Sequence, residues 1–305
     1  MTSRELSFEK IKLAIVSAIF GTIGLVTHFI PLSSAAIVFY RALLGGLFII
    51  AYSYISGRKT NLQSIKNNLP ILIATGFFMG LNWVLQFEAF RVSTVAIGTV
   101  CYNTMPIFLI VFASIIFKEK LTLRSCICII CATIGVALMA NVGGSEINSN
   151  TALGCIYGVL GAVFYALIVT FNRKLNFIET YDKLVFQFLF SAVIMAVYIT
   201  LLEKSSFTFS SNIDEKTFAV GIFCILLLSF FHTGICYIFY FNAISKLKAD
   251  VVAILTYIDP VVALLLSYFV LKEKMTLPQF IGAVIILLST LINELLSLKE
   301  YGRRN

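Results

Sequence analysis

The sequence of 305 residues has little charge, almost no histidine and a single tryptophan. Asp, Glu, Lys and Arg make up 12% of the residues and His occurs only twice. A soluble domain averages about 25% charged residues, so a water-soluble surface of the usual kind is excluded. The sequence also has no Walker loop, dinucleotide fingerprint, nucleophile elbow or zinc-protease motif. We therefore predict no catalytic residue, no cofactor and no metal site.

Long apolar stretches take the place of the missing charge. Hydrophobic residues make up 59% of the chain, and the mean hydropathy is +0.96. A membrane-spanning helix needs about 20 mostly apolar residues, whereas a transmembrane β-strand is about half as long and alternates. The sequence predicts an all-α integral membrane protein with ten transmembrane helices. These lie at residues 11–29, 34–54, 69–89, 95–117, 122–140, 152–172, 183–202, 217–243, 251–270 and 278–297.

The basic residues are distributed unevenly between the two faces of this arrangement. The net charge of +8 is compatible with nucleic-acid binding, but 17 of the 23 Lys and Arg residues fall in loops on one face. Basic loops favour the cytoplasmic side. We therefore predict a multi-pass protein of the cytoplasmic membrane with both termini inside. Its partners are the lipid bilayer and a small-molecule substrate rather than nucleic acid, and a monomer is plausible.

An internal repeat divides the chain. The segment KEKLTL at 118–123 recurs as KEKMTL at 272–277, and the same offset of 154 relates Trp83 to Tyr237 and Pro106 to Pro260. Each half holds five predicted helices, and because five is odd the second half enters the membrane from the opposite side. The predicted units are residues 1–148 and an inverted copy, 149–305. Inverted repeats are a recurring transporter architecture with the substrate site near the membrane midplane.

At these residues the sequence resembles the EamA-type branch of the drug/metabolite transporter superfamily. The segments that support the resemblance are 241–244 (FNAI), 250–258, 260–263 (PVVA), 271–276 (LKEKMT) and 279–288. The resemblance implies a ten-helix carrier of small organic solutes, in a family that includes exporters of amino acids and related metabolites. Small multidrug members use a first-helix Glu for proton coupling, which residues 11–29 lack.

Three ionisable residues within or near the predicted spans are candidates for a charged or coupling role. Charges inside a membrane cost about 2.5–3.5 kcal/mol on insertion scales and tend to face the bundle interior. Asp259 precedes Pro260 in span 9, so it either binds a substrate amine, takes up a coupling proton or only fixes helix packing. Arg41 in span 2 either pairs with Asp259, binds a substrate carboxylate or snorkels to the headgroups. For Glu88, a surface salt bridge to Arg91 is the simplest account.

Polar and aromatic residues on single helix faces define a predicted solute pathway. Such faces suit either a solute path or inter-helix hydrogen bonds. We also predict that Pro106 and Pro260 kink their helices near the midplane and free carbonyls for the solute. The predicted pathway residues are Asn82, Trp83, Gln86, Tyr102, Asn103, Tyr165, Tyr237, Tyr240, Thr256, Tyr257 and Asp259.

These features predict a secondary transporter that moves a small organic metabolite or amino acid by alternating access, with export as the expected direction. Proton coupling through Asp259 is one version of this hypothesis. An uncoupled channel or facilitator for small solutes is the main alternative, and a non-transporting membrane scaffold is a further one. A membrane enzyme is disfavoured because His28 and His232 lie far apart in the predicted map.

Overall fold

The computed structural model describes residues 3–58, 60–118, 122–141, 149–175, 177–203, 207–210 and 213–304. Parts of the first KEKLTL segment (119–121) and of the predicted join between halves (142–148) lie outside this range. Within it the secondary structure is entirely helical, with no strand. The long helices are α1 (Ser3–Phe20 and Ile23–His28), α2 (Ser34–Ile55), α3 (Leu69–Val92), α4 (Val95–Tyr102 and Met105–Phe117), α5 (Leu123–Met139), α6 (Ser149–Asn172), α7 (Thr180–Tyr198), α8 (Glu215–Leu226, Leu227–Ile235 and Cys236–Ile244), α9 (Ala249–Thr256 and Ile258–Phe269) and α10 (Leu277–Arg304).

Nine of these helices in the described chain are long and apolar enough to cross a membrane. The exception, α5, is equally apolar but has 17 residues. Large apolar side chains cover the outside of the bundle, among them Ile115, Val193 and Phe269 at 68%, 60% and 61% exposure. Exposed apolar area on this scale suits contact with lipid. The chain is therefore an all-helical integral membrane protein.

Polar side chains at the helix starts explain several boundaries. Ser33, Thr94, Thr122 and Asp214 each accept a hydrogen bond from a backbone N–H of the first turn, which satisfies one of its unpaired donors. At the other end, α4 stops where Lys118 adopts φ +56°, a left-handed conformation that ends helices. The chain after α9 turns in the same way at Lys272, with φ +58°.

The first helix is longer than predicted. It begins by Ser3 instead of residue 11, and this extension includes Glu9, which is only 5% exposed. Lys12 lies 2.6 Å and Lys246 2.8 Å from the carboxylate oxygens of Glu9. Because these two ammonium groups compensate its charge, the Glu9 carboxylate can be buried between helices. A prediction based on apolar runs alone stops at the first charged residues and so misses the extension at residues 3–10.

The helices pack in recurring pairs. The most extensive contacts join α3 to α6, α5 to α10 and α2 to α7, and α8 also packs against α1 and α2. The main apolar core lies between α2, α3, α7 and α8, where Ile49, Met79, Phe87, Phe188 and Leu228 are almost completely buried. This core includes Trp83 and Phe87.

Candidate functional site

Three helices are interrupted within their length, and the breaks of two of them, α1 and α9, lie against each other. The breaks fall at Gly21–Thr22 in α1, at Asn103–Thr104 in α4 and at Tyr257 in α9. Gly21 lies so close to α9 that an added methyl group would be 2.6 Å from the carbonyl oxygen of Asp259. Glycine is therefore required there, and the crossing places the break of α1 beside Asp259.

The two predicted kink residues lie just after two of these breaks. Pro106 is in the first turn of the second part of α4, and Pro260 is in the first turn of the second part of α9. Proline lacks the N–H that would otherwise continue the helix, but it is tolerated in a first turn. Each helix therefore ends shortly before its proline and restarts with the proline in its first turn.

A wide π-helical segment, Leu227–Ile235, interrupts α8. Its side chains bond to carbonyls five residues earlier: His232 Nδ1 lies 3.1 Å from the Leu227 oxygen, and the Thr233 hydroxyl donates to the Leu228 oxygen at 2.9 Å. The other ring nitrogen of His232 lies 2.8 Å from Thr22 Oγ1 at the α1 break. Local π-helical segments occur often at functional sites. Here the contact between His232 and Thr22 fixes α8 against α1.

Arg41 is buried in the bundle at 2% exposure and does not extend toward the headgroups. Its Nε donates a 2.8 Å hydrogen bond to Thr233 Oγ1 in the π segment. Its guanidinium carbon lies 4.0 Å from the ring centroid of Trp83 and 5.7 Å from that of Phe87. A desolvated cation–π contact contributes about 2 kcal/mol, which offsets part of the cost of burying the charge. Among the described residues Arg41 has no ion-pair partner, so pairing with Asp259, one of its three predicted roles, is absent.

An aromatic layer connects Arg41 to the opposite half of the bundle. The Trp83 ring lies 5.3 Å from that of Phe188, and Phe188 lies 5.7 Å from Tyr237. Tyr237 in turn contacts Phe20 at 5.6 Å and Phe241 at 6.0 Å. These centroid distances are typical of packed aromatic pairs. The layer therefore runs across the bundle without a break.

Tyrosines surround Asp259. It lies within electrostatic range of the hydroxyls of Tyr102, Tyr237 and Tyr240. Tyr102 packs against Tyr165 at a centroid distance of 6.0 Å. Its hydroxyl accepts a 3.2 Å hydrogen bond from Asn82, whose amide also donates to the Gly161 carbonyl oxygen at 2.8 Å. The structure thus places residues of α3, α4, α6, α8 and α9 around one centre.

Two cavities open on either side of this centre. The first, of about 880 Å³, lies at the end that carries Arg58, Lys183 and the loop after α8, and Phe241 and Glu294 line it. The second, of about 600 Å³, lies at the other end, and His28, Phe87, Arg91, Glu203 and Glu273 are among its lining residues. The aromatic layer reaches the first cavity through Phe241. On the other side, the second cavity is lined by Phe87, whose ring also contacts Arg41.

Several predicted site residues are engaged in other contacts. Glu88 forms a 3.1 Å ion pair with Arg91 near the end of α3, with 31% of its side chain exposed. Asn103 donates to the Thr99 carbonyl oxygen of its own helix, and Thr256 bonds back to Val252. Gln86 lies on the face of α3 that packs on α6, and Tyr257 lies near Thr290 and Glu294 of α10.

Two residues near the centre were missed from the sequence. Glu294 of α10 lies within electrostatic range of Tyr165, Tyr240 and Tyr257 and lines the first cavity. It is an acid inside the apolar stretch 278–297, and the reasoning applied to Asp259 would have found it. Gln187 of α7 donates hydrogen bonds to Asn172 and Thr75, at 2.7 and 3.0 Å. No local signal in the sequence relates these three residues. Within the described chain, no three His, Cys, Asp or Glu side chains converge as metal ligands.

The chain matches the EamA-like transporter family twice, over residues 9–141 and 152–294. It therefore belongs to the EamA-like transporter family, as the sequence resemblance predicted. A solved crystal structure superposes with a TM-score of 0.60 at 17% identity, covering 97% of this chain and 98% of that one. This likeness supports the fold.

Curated relatives are similar over most of their length. The transporter YxxF of Bacillus subtilis, itself uncharacterized, is 27% identical over 94% of this chain and 89% of its own. The S-adenosylmethionine uptake transporter of Rickettsia felis is 22% identical over 85% and 82%. The pseudopaline exporter CntI of Pseudomonas aeruginosa is 26% identical over 74% of each chain. The protein is thus a membrane protein of a bacterial transporter family.

Proposed function

We propose that this protein is a secondary transporter that moves a small organic metabolite or amino acid outward across the cytoplasmic membrane by alternating access. The observation on which the proposal depends is the pair of cavities at opposite ends of the bundle, separated by the layer around Arg41, Trp83, Tyr237 and Asp259. A carrier needs one central site that each end can reach in turn. An open channel needs a continuous path instead.

The proposal includes ten spans arranged as inverted repeats, residues 1–148 and 149–305. Equivalent positions at the offset of 154 have matching local structure, which supports it. Asn103 and Tyr257 both fall at helix breaks, and Lys118 and Lys272 are both left-handed. Exchanging α1–α5 with α6–α10 also maps the contact of α3 with α6 onto that of α8 with α1.

We include α5 as the tenth span. Its 17 residues are about 25 Å long at 1.5 Å per residue, near the lower limit for crossing the hydrocarbon core. With ten spans both termini lie on one side, and the distribution of Lys and Arg supports the cytoplasmic side. The end with the larger cavity then faces the cytoplasm.

Asp259 is the proposed charged element of the transport cycle. It binds a cationic group of the solute or takes up a proton in exchange. Two relatives are named for transport in opposite directions, uptake and export, so direction has to be measured.

The test begins with the metabolite profiles of cells with and without the protein, which identify the solute that changes. Uptake of that solute is then measured in proteoliposomes containing the wild type or Asp259→Asn. We expect saturable uptake by the wild type and strongly reduced, pH-independent uptake by the variant. Unchanged transport and pH dependence in the variant would remove Asp259 from the mechanism. Flux that never saturates would instead favour the uncoupled facilitator.

A further inference from the structure

Arg41 has binding capacity that the protein does not use. Its Nε is bonded to Thr233 and one face of its guanidinium lies on Trp83. No described residue accepts a hydrogen bond from its two terminal nitrogens, and both contact space that a water-sized molecule can enter. Taking such a cation out of water without an anion is costly. A solute with an anionic group would supply the missing partner, and the planar fork of donors matches a carboxylate.

Asp259 has the complementary property. Among the described residues nothing donates a hydrogen bond to its carboxylate, and no Lys or Arg lies within 4.0 Å of it. The side chain is partly buried rather than sealed, and the hydroxyls of Tyr102, Tyr237 and Tyr240 are within electrostatic range. A carboxylate among tyrosine rings is a suitable environment for an organic cation, because ring faces also attract cations.

Arg41 and Asp259 have two tyrosine neighbours in common. Tyr102 and Tyr237 are each within electrostatic range of both Arg41 and Asp259, whereas Arg41 and Asp259 form no ion pair with each other. A solute that contacted both charges would therefore have to reach past the tyrosine hydroxyls. Its own charges would have to be separated by several bonds.

We propose that the central site binds an amphoteric organic solute in one orientation, with its anionic group on the Arg41 guanidinium and its cationic group at Asp259. The rings of Trp83 and Phe87 contact the Arg41 guanidinium, and the hydrogen bond to Thr233 fixes its orientation. This inference rests on the proposed function, because it assigns the charge pattern of the transported solute.

Trp83 provides a direct readout, because it is the only tryptophan in the chain and stacks on Arg41. The purified full-length protein is titrated with glycine, 4-aminobutyrate, 6-aminohexanoate and 8-aminooctanoate, and with hexanoate and hexylamine as matched single-charge controls. Tryptophan fluorescence reports binding. We expect the longer amino acids to bind more tightly than glycine, and 6-aminohexanoate to bind about tenfold more tightly than either control, since one charge-assisted contact is worth about that factor.

Variants assign the two ends. Arg41→Gln should abolish the advantage of 6-aminohexanoate over hexylamine, and Asp259→Asn should abolish its advantage over hexanoate. Arg41→Lys keeps the charge and should retain part of the preference, which controls for misfolding. Equal binding of the amino acid and both controls would overturn the proposal, as would an unchanged preference in both variants or no binding by any of the amino acids.

The binding and transport results separate the two proposals. Oriented binding without saturable flux of any solute would contradict the transporter but leave the site assignment intact. Saturable flux of a solute with only one charge, together with no preference for amino acids, would contradict the site assignment but leave the transporter intact.

Discussion

The charged side chains near the ends of the helices differ from those at the centre of the bundle in whether they have ion-pair partners. Near the ends, Glu9 is bonded to Lys12 and Lys246, and Glu88 is bonded to Arg91. At the centre, Arg41 and Asp259 have no protein ion pair within the described chain and do not pair with each other. Paired charges hold helices together, whereas unpaired buried charges cost free energy. From this difference we propose that the two central charges are functional rather than structural.

Glu273 is a third acid near a helix end that has partners within the protein. Its carboxylate accepts hydrogen bonds from the backbone N–H of Val95, at 3.0 and 3.3 Å, and from the Ser267 hydroxyl. A carboxylate at a helix N-terminus is favourable because the exposed amides carry partial positive charge. The acid of the repeated KEKMTL segment therefore fixes the start of α4 against the turn after α9.

Arg41→Met is expected to produce the largest functional effect with little structural cost. Loss of the guanidinium that binds the anionic group of the solute should weaken solute binding, and with it transport, about 10- to 100-fold. Stability should stay within about 1 kcal/mol, because the relieved desolvation cost offsets the lost cation–π contact and hydrogen bond. Uptake assays and thermal unfolding of the same preparations measure both. A fall in stability of about 3–5 kcal/mol, typical of breaking a buried ion pair, would make Arg41 structural.

Glu9→Gln is expected to show the reverse pattern. It removes two ion pairs from a nearly buried carboxylate and leaves Lys12 and Lys246 unmatched. Because these lysines are 20% and 46% exposed, the expected loss is about 1–2 kcal/mol rather than the full cost of a buried pair. Thermal unfolding in detergent measures it. A variant as stable as the wild type would show that this ion-pair cluster does not hold α1 in place.

Glu88→Gln is expected to have the smallest effect and serves as the matched control. The pair with Arg91 is half exposed, and such surface pairs contribute about 0–1 kcal/mol. Both unfolding temperature and transport should match the wild type. Loss of transport here would show that the charges at the outer end take part in the cycle, and the division between paired and unpaired charges would fail.

The apolar runs predicted most of the helices, and the resemblance of segments between residues 241 and 288 identified the family. Local pattern was sufficient because a membrane helix is defined by length and composition. The same reasoning placed Asp259, Trp83 and Tyr237 on faces that the structure brings to one centre. It also placed Asn103 and Thr256 there, but their side chains bond to their own helices.

Other features depended on contacts that no local pattern encodes. The π segment of α8 orients Thr233 toward Arg41, and nothing in its composition distinguishes it from an ordinary helix. Glu9 lies inside a helix only because Lys246, more than 230 residues away, neutralises it. The break in α1 at Gly21 became interpretable once its close approach to Asp259 was known.

The most direct test of a central site reached alternately from both ends is counterflow. Proteoliposomes are preloaded with the unlabelled solute identified by metabolite profiling, diluted, and supplied with a trace of labelled solute outside. The account predicts that label accumulates transiently above its equilibrium level in wild-type vesicles, and that Arg41→Met abolishes this overshoot. Label that enters at a rate proportional to its gradient, without saturation or overshoot, would contradict alternating access and identify an open path instead.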